Sequence, residues 1–138
     1  MTNPLSGTPK QAKPSSGRAL AFPRAARILR SAEFRHIYDH GFRVSSPLFA
    51  AFCFERPQFE QQEDESPRLG LTVPKAVGGA VARNRIKRRL REAFRLHRAK
   101  LGPRWDVVIN PRKAMLHAPF TEIERALGKV IERCNSLS

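Results

Sequence analysis

Acidic side chains are scarce in this sequence. Asp and Glu number 12 against 26 Lys and Arg, giving a formal charge of +14 and a pI near 11.3. The acids are concentrated between Glu55 and Glu65 and show no paired-carboxylate pattern able to hold two magnesium ions. That argues against a self-sufficient nuclease. Long apolar runs are also missing: nothing approaches the roughly 20 residues of a bilayer span, and no continuous apolar block of a secretory signal stands at the N-terminus. Arg18, Arg24, Arg27 and Arg30 precede the first acid, Glu33, as they would in an organellar transit peptide. Pro4, Pro9, Pro14 and Pro23, however, break any long amphipathic helix there. Only two cysteines occur, Cys53 in an apolar strand-like run and Cys134 in a predicted helix. Buried, reduced thiols in a cytoplasmic protein are the expectation.

What is present fits one small domain, with 138 residues that are 41% hydrophobic and can bury a modest core. Residues 1–17, MTNPLSGTPKQAKPSSG, are rich in Pro, Ser, Gly and Thr and read as a disordered basic tail ahead of a domain over 18–138. SAEFRHIYDHG predicts a helix capped by Ser31 and stopped by Gly41, with Phe34, Ile37 and Tyr38 at helical spacing. VSSPLFAAFCFE, residues 44–55, predicts a strand that is apolar at both parities, covered on both sides or offering one face for binding. A polar, acidic, Pro-bounded loop follows. RLGLTVPK, 68–75, is then expected to close a hairpin with that strand. WDVVINPR predicts a further strand. PFTEIERALGKVIERC predicts a last helix, capped by Thr121, with Ile123, Leu127, Val130 and Ile131 inward. Helix, hairpin, helix, strand, helix on one sheet is an α+β arrangement.

The helix between Gly79 and Leu101 carries most of the charge. With Ile86 set at zero and 100° per residue, Ala93, His97, Leu90, Leu101 and Phe94 fall within about −20° to +80°, a core stripe. Lys87, Arg98, Arg91, Arg95 and Arg88 fall within about 100° to 200°, one continuous cationic band. Residues 66–91 hold eight basic side chains and no acid, unlike an ordinary solvated face, which mixes signs at i, i+4. A polyanion would relieve that self-repulsion, and arginine in excess over lysine suits bidentate contact with phosphate. Arg83 and Arg85 flank Asn84 at the helix start, where anions are favoured.

GGAVARNRIKRRLREAFR, following RLGLTVPK, resembles the RNR signature of the bacterial ribonuclease P protein component, the small subunit of the tRNA 5′-maturation ribonucleoprotein. RILRSAEFRHIYDHGFRVSSPLFAAF is similar to that family's first helix and strand, and DVVINPRKA to its late strand. The resemblance implies a compact fold with a left-handed βαβ crossover. It implies that Arg83, Asn84, Arg85, Lys87, Arg88 and Arg91, with Arg95 on the same band, contact a catalytic RNA. It further implies a cleft for the single-stranded 5′ leader of precursor tRNA, lined by Phe34, Tyr38 and Phe52 with Lys75 beside it. Many members carry a second lysine where this chain has Ala76. Phosphodiester cleavage, with its magnesium ions, would belong to the RNA partner.

On spacing alone, Phe34, Tyr38 and Phe52 fit either ordinary helix-on-sheet core or a stacking surface for unpaired bases. A structural RNA-binding protein of ribosomal type would use the same basic helix without such a cleft. A DNA-binding helix would need a dimerising element, and no heptad pattern follows Leu101. His36 and His40 share the i, i+4 spacing of some metal sites but lack a third ligand, so a solvent- or RNA-facing pair is expected.

Overall fold

The computed structural model describes residues 26–28, 30–57 and 66–137. The tail expected over 1–17 and most of the acidic loop lie outside them.

The first helix, α1, spans Ser31–His40. Arg30, not Ser31, is its N-cap, and the Arg30 carbonyl accepts the amides of Glu33 and Phe34. Gly41 ends the helix as expected, its N–H bonded to Ile37 O at 2.8 Å. Only glycine fits there: a Cβ would lie 2.5 Å from Cys53 O and 2.7 Å from Ile37 O.

The apolar run expected as one strand is two. β1 (Phe42–Ser45) and β2 (Phe49–Glu55) pair antiparallel, with Arg43 opposite Phe52. The reversal lies at Ser46–Leu48. Ser46 Oγ accepts the amides of Leu48 (3.3 Å) and Phe49 (3.2 Å), while Pro47 has no amide to give a ladder. The hairpin partner of β2 is therefore β1. β3 (Arg68–Leu71) instead lies parallel to β4 (Trp105–Pro111), and the sheet order is β1-β2-β4-β3. A parallel pair needs a crossover, and the basic helix α2 (Ala80–His97) supplies it. A bridge from Arg27 to Leu69 extends the sheet beyond β3.

Alternation along the strands separates two cores. Phe49, Ala51, Cys53, Val107 and Ile109 point to the face covered by α2 and by α3 (Phe120–Leu137). Ile86, Leu90, Ala93 and Phe94 of α2 meet Ile123, Leu127, Val130, Ile131 and Cys134 of α3 there, as the periodicity requires. Phe94 is fully buried, so truncating it to alanine removes about 3–5 kcal/mol. His97, near the centre of the expected stripe, is only half-buried, its Nε2 2.9 Å from Glu124 of α3. Thr121 lies inside the first turn of α3 and not at its cap, because Pro119 O takes the amides of Glu122 and Ile123. The opposite sheet face carries the smaller cluster of Ile28, Ile37 and Val108, with Phe34, Tyr38, Phe52 and Phe54 only half-covered by α1. Cys53 and Cys134 are both buried and unbridged. Among the described residues no helix is long and apolar enough to cross a membrane.

Candidate nucleic-acid interface

Two adjoining surfaces carry the residues singled out by sequence. The first is α2. Gly79 is its N-cap and contributes no side-chain bond, and no acid occupies the first turn. Asn84, Arg85 and Arg88 are exposed, with Lys87 and Arg91 half-buried along the same helix. Their positions do not make them equivalent. The Arg83 Nε–H donates to Gly78 O at 3.2 Å and so holds the turn before the helix. Arg95 donates to both Glu92 oxygens, at 3.0 and 2.5 Å, and must exchange that carboxylate to reach a phosphate. The same contact holds the Glu92 carboxyl below its usual range. Partial burial, and then the Arg27 charge beside it, lowers the hold of Arg91 on its proton. Arg27 thus carries the cationic band from α2 onto the segment bridged to β3, a continuation that periodicity within one helix cannot reveal. Arg89 faces elsewhere: its guanidinium donates to the carbonyls of Met115 and Ala118.

The second surface is the half-covered face of the sheet under α1. One end is closed by charge. Asp106, 3% exposed, accepts two bonds from Arg68 (2.9 and 2.8 Å) and another from Arg56, while Arg68 also reaches Glu33 of α1 at 3.0 Å. Asp106, followed by Glu33, tightens the hold of Arg68 on its proton despite burial. A carboxylate desolvated this far is tolerable only with such partners. Next along the face, the Phe34 ring lies on Gly70 of β3, where a Cβ would be 2.8 Å from its Cε1. The other end is open. Tyr38 and Phe52 meet edge to face with centroids 4.9 Å apart, and the Arg43 guanidinium stands 5.9 Å from the Phe52 centroid. The Tyr38 hydroxyl donates to Asn110 Oδ1 at 2.9 Å, with Thr72 Oγ1 3.3 Å away.

Phe34, Tyr38 and Phe52 therefore share one cluster. A hollow bounded by Ser31, Phe34, Arg35, Tyr38 and Asp39 opens against the helix. Lys75 is exposed on a 3-10 turn (Lys75–Val77), three residues beyond Thr72, and is not a member of the aromatic cluster. Arg43, Thr72 and Asn110 escaped the sequence reading. The signal for Asn110 was there in the i, i+2 spacing of Asp106, Val108 and Asn110 on one strand face. His36 and His40 stack at 4.4 Å, and His36 meets Phe54 edge-on at 4.7 Å, so the pair abuts the same face. Among the described residues no three His, Cys, Asp or Glu side chains gather around one point that could hold a metal. The buried Asp106 is taken up by arginines.

A family model described as Ribonuclease P matches residues 22–135. A ribonuclease P protein component from Desulfosudis oleivorans is 38% identical over 115 residues, covering 83% of this chain and 90% of the relative. The one from Exiguobacterium sibiricum is 35% identical over 107 residues, covering 78% and 88%. The RNase P protein of Staphylococcus aureus has a similar structure, with a TM-score of 0.66 and 30% identity across 79% of this chain and 94% of that one. That of Thermotoga maritima shares the fold at a TM-score of 0.67 and 24% identity, over 78% and 96%.

Proposed function

The chain belongs to the ribonuclease P protein family, whose members are a subunit of the tRNA 5′-maturation endoribonuclease, and on that premise we propose a division of labour between its two surfaces. The α2 band, with Arg83, Asn84, Arg85, Lys87, Arg88, Arg91 and Arg95, docks the catalytic RNA. The open end of the α1 cleft, with Phe34, Tyr38, Phe52 and Lys75, grips the single-stranded 5′ leader of precursor tRNA. The protein works in the cytoplasm, and the magnesium ions of cleavage belong to the RNA partner.

The observation that carries this reading is the Tyr38–Phe52 pair left half-exposed beside a cation. An aromatic edge-to-face pair with Arg43 alongside offers π surface to a base and charge to its phosphate. Stacking on such a surface contributes about 1–3 kcal/mol per base and tolerates any sequence. The exposed guanidiniums of Arg85 and Arg88 supply the salt-dependent part of RNA affinity, released counterions included. A charge of +14 also screens the repulsion between two RNAs brought together.

Reconstitution tests the reading. The purified chain is mixed with catalytic RNA, and cleavage of precursor tRNA is followed at low magnesium with and without it. Stimulation by the protein is expected. Phe52→Ala should weaken precursor binding by the holoenzyme and leave catalytic-RNA binding intact. Equal loss of both, or of neither, removes the cleft from the account and favours a purely structural RNA-binding role.

A further inference from the structure

Beside the first turn of α2 lies a cavity of about 560 Å³, separate from the α1 cleft. That is inside the range of roughly 300–1,000 Å³ typical of small-ligand pockets. Ala82, Ile86, Met115 and Leu116 give it an apolar lining, and Arg85 and His117 stand among its walls. Arg89 maintains one side: by donating to Met115 O and Ala118 O it ties the 3-10 turn Lys113–Leu116 to α2. Val81, also in the lining, is 85% exposed, a large apolar side chain turned outward in the most cationic segment of the chain. Nothing in the packing of this fold calls for valine there.

We propose that this cavity receives one unstacked nucleobase of the RNA partner, with the attached phosphate lying against Arg85. The inference rests on the RNA-subunit reading above and adds a contact made by apolar burial to those made by charge. Charge complementarity selects the occupant. No acid lines the cavity and none stands in the first turn of α2, while Arg85 and Arg89 are both among its lining residues. Such a rim favours a polyanion that can turn a flat, apolar-faced group inward, and it disfavours a protein surface unless that surface is acidic. A base is such a group, and a phosphate one backbone bond away meets the rim.

Val81→Ser removes the apolar contact without touching the core. Affinity for full-length ribonuclease P RNA is measured by filter binding across a salt series, and accessible bases are mapped with dimethyl sulfate. The expected result is a loss of about tenfold in affinity at every salt concentration. The slope of log K against log salt stays unchanged, and one base protected by the wild type reacts again. Val81→Ile should restore both affinity and protection. Arg85→Ala, by contrast, should flatten the salt slope by about 0.9. If the wild type binds RNA and Val81→Ser binds equally well, or weakens without exposing a base, the pocket assignment is overturned and the subunit reading stands. If the wild type fails to bind RNA at all, both fall together.

Discussion

Gly70→Ala isolates the contact on which the aromatic cleft is built. A Cβ at that position would stand 2.8 Å from Phe34 Cε1, 2.9 Å from Cζ and 3.2 Å from Ile28 Cβ. The ring is the far end of a two-torsion side chain and can swing outward, while Ile28 must retreat by a few tenths of an ångström. Overpacking of this kind costs about 1–3 kcal/mol. Replacing a strand glycine by alanine returns about 0.5–1 kcal/mol through the unfolded chain. The net expectation is a destabilisation of about 1–2 kcal/mol. In a Phe34→Ala background the ring is gone and only the approach to Ile28 Cβ remains, so the same substitution should be close to neutral, a coupling of about 1–2 kcal/mol. Urea unfolding of the four proteins measures it through the midpoints at constant m. With the ring displaced, Gly70→Ala should also weaken precursor-tRNA binding by the reconstituted enzyme. An equal cost of Gly70→Ala in both backgrounds would refute the argument, since the ring would then not be what the glycine accommodates.

Arg88 and Arg89 are neighbours with opposite assignments. Arg88→Ala should leave the unfolding midpoint unchanged and reduce the salt slope of RNA binding by about 0.9. Arg89→Ala should cost about 1.5–3 kcal/mol of stability, because the carbonyls of Met115 and Ala118 lose a charged donor. Identical behaviour of the two variants in the salt titration would refute the distinction. Cys53 provides a pH test. Its hydrogen bond to Cys134, and then burial, push its thiol pKa up in the folded state. The unfolded chain therefore gives up this proton first: the contribution is complete below about pH 8.5 and is lost above it at about 1.4 kcal/mol per pH unit. Urea unfolding between pH 7.5 and 10 should show a shallower decline for Cys53→Ala than for the wild type, and parallel declines would sink the assignment.

Much of this is legible in the sequence, wherever a residue's role depends on its near neighbours in the chain. Ile86, Leu90, Ala93 and Phe94 are buried while Asn84, Arg85 and Arg88 are exposed, because a helix of 3.6 residues per turn sorts the two sets onto opposite sides. Gly41 stops α1 for an equally local reason. Residues 44–55 form parts of two strands and not one, because Ser46 and Pro47 interrupt the apolar run with a turn. Ser31 and Thr121 lie one and two residues inside their helices and not at the caps, since the carbonyls of Arg30 and Pro119 close those helix starts.

Periodicity and the RNR run are thus enough for the helix faces and the family resemblance, and charge points to a polyanionic partner, all of them properties of residues within a few turns of one another. Tertiary structure alone decided the rest. The sequence holds no local term that says whether β3 will lie beside β2 or β4. The α2 crossover brings β3 back alongside β4 and so delivers Gly70 beneath Phe34. The Tyr38 hydroxyl finds Asn110 across 72 residues for the same reason: a contact at that separation exists only after the chain has closed its loops around a common core.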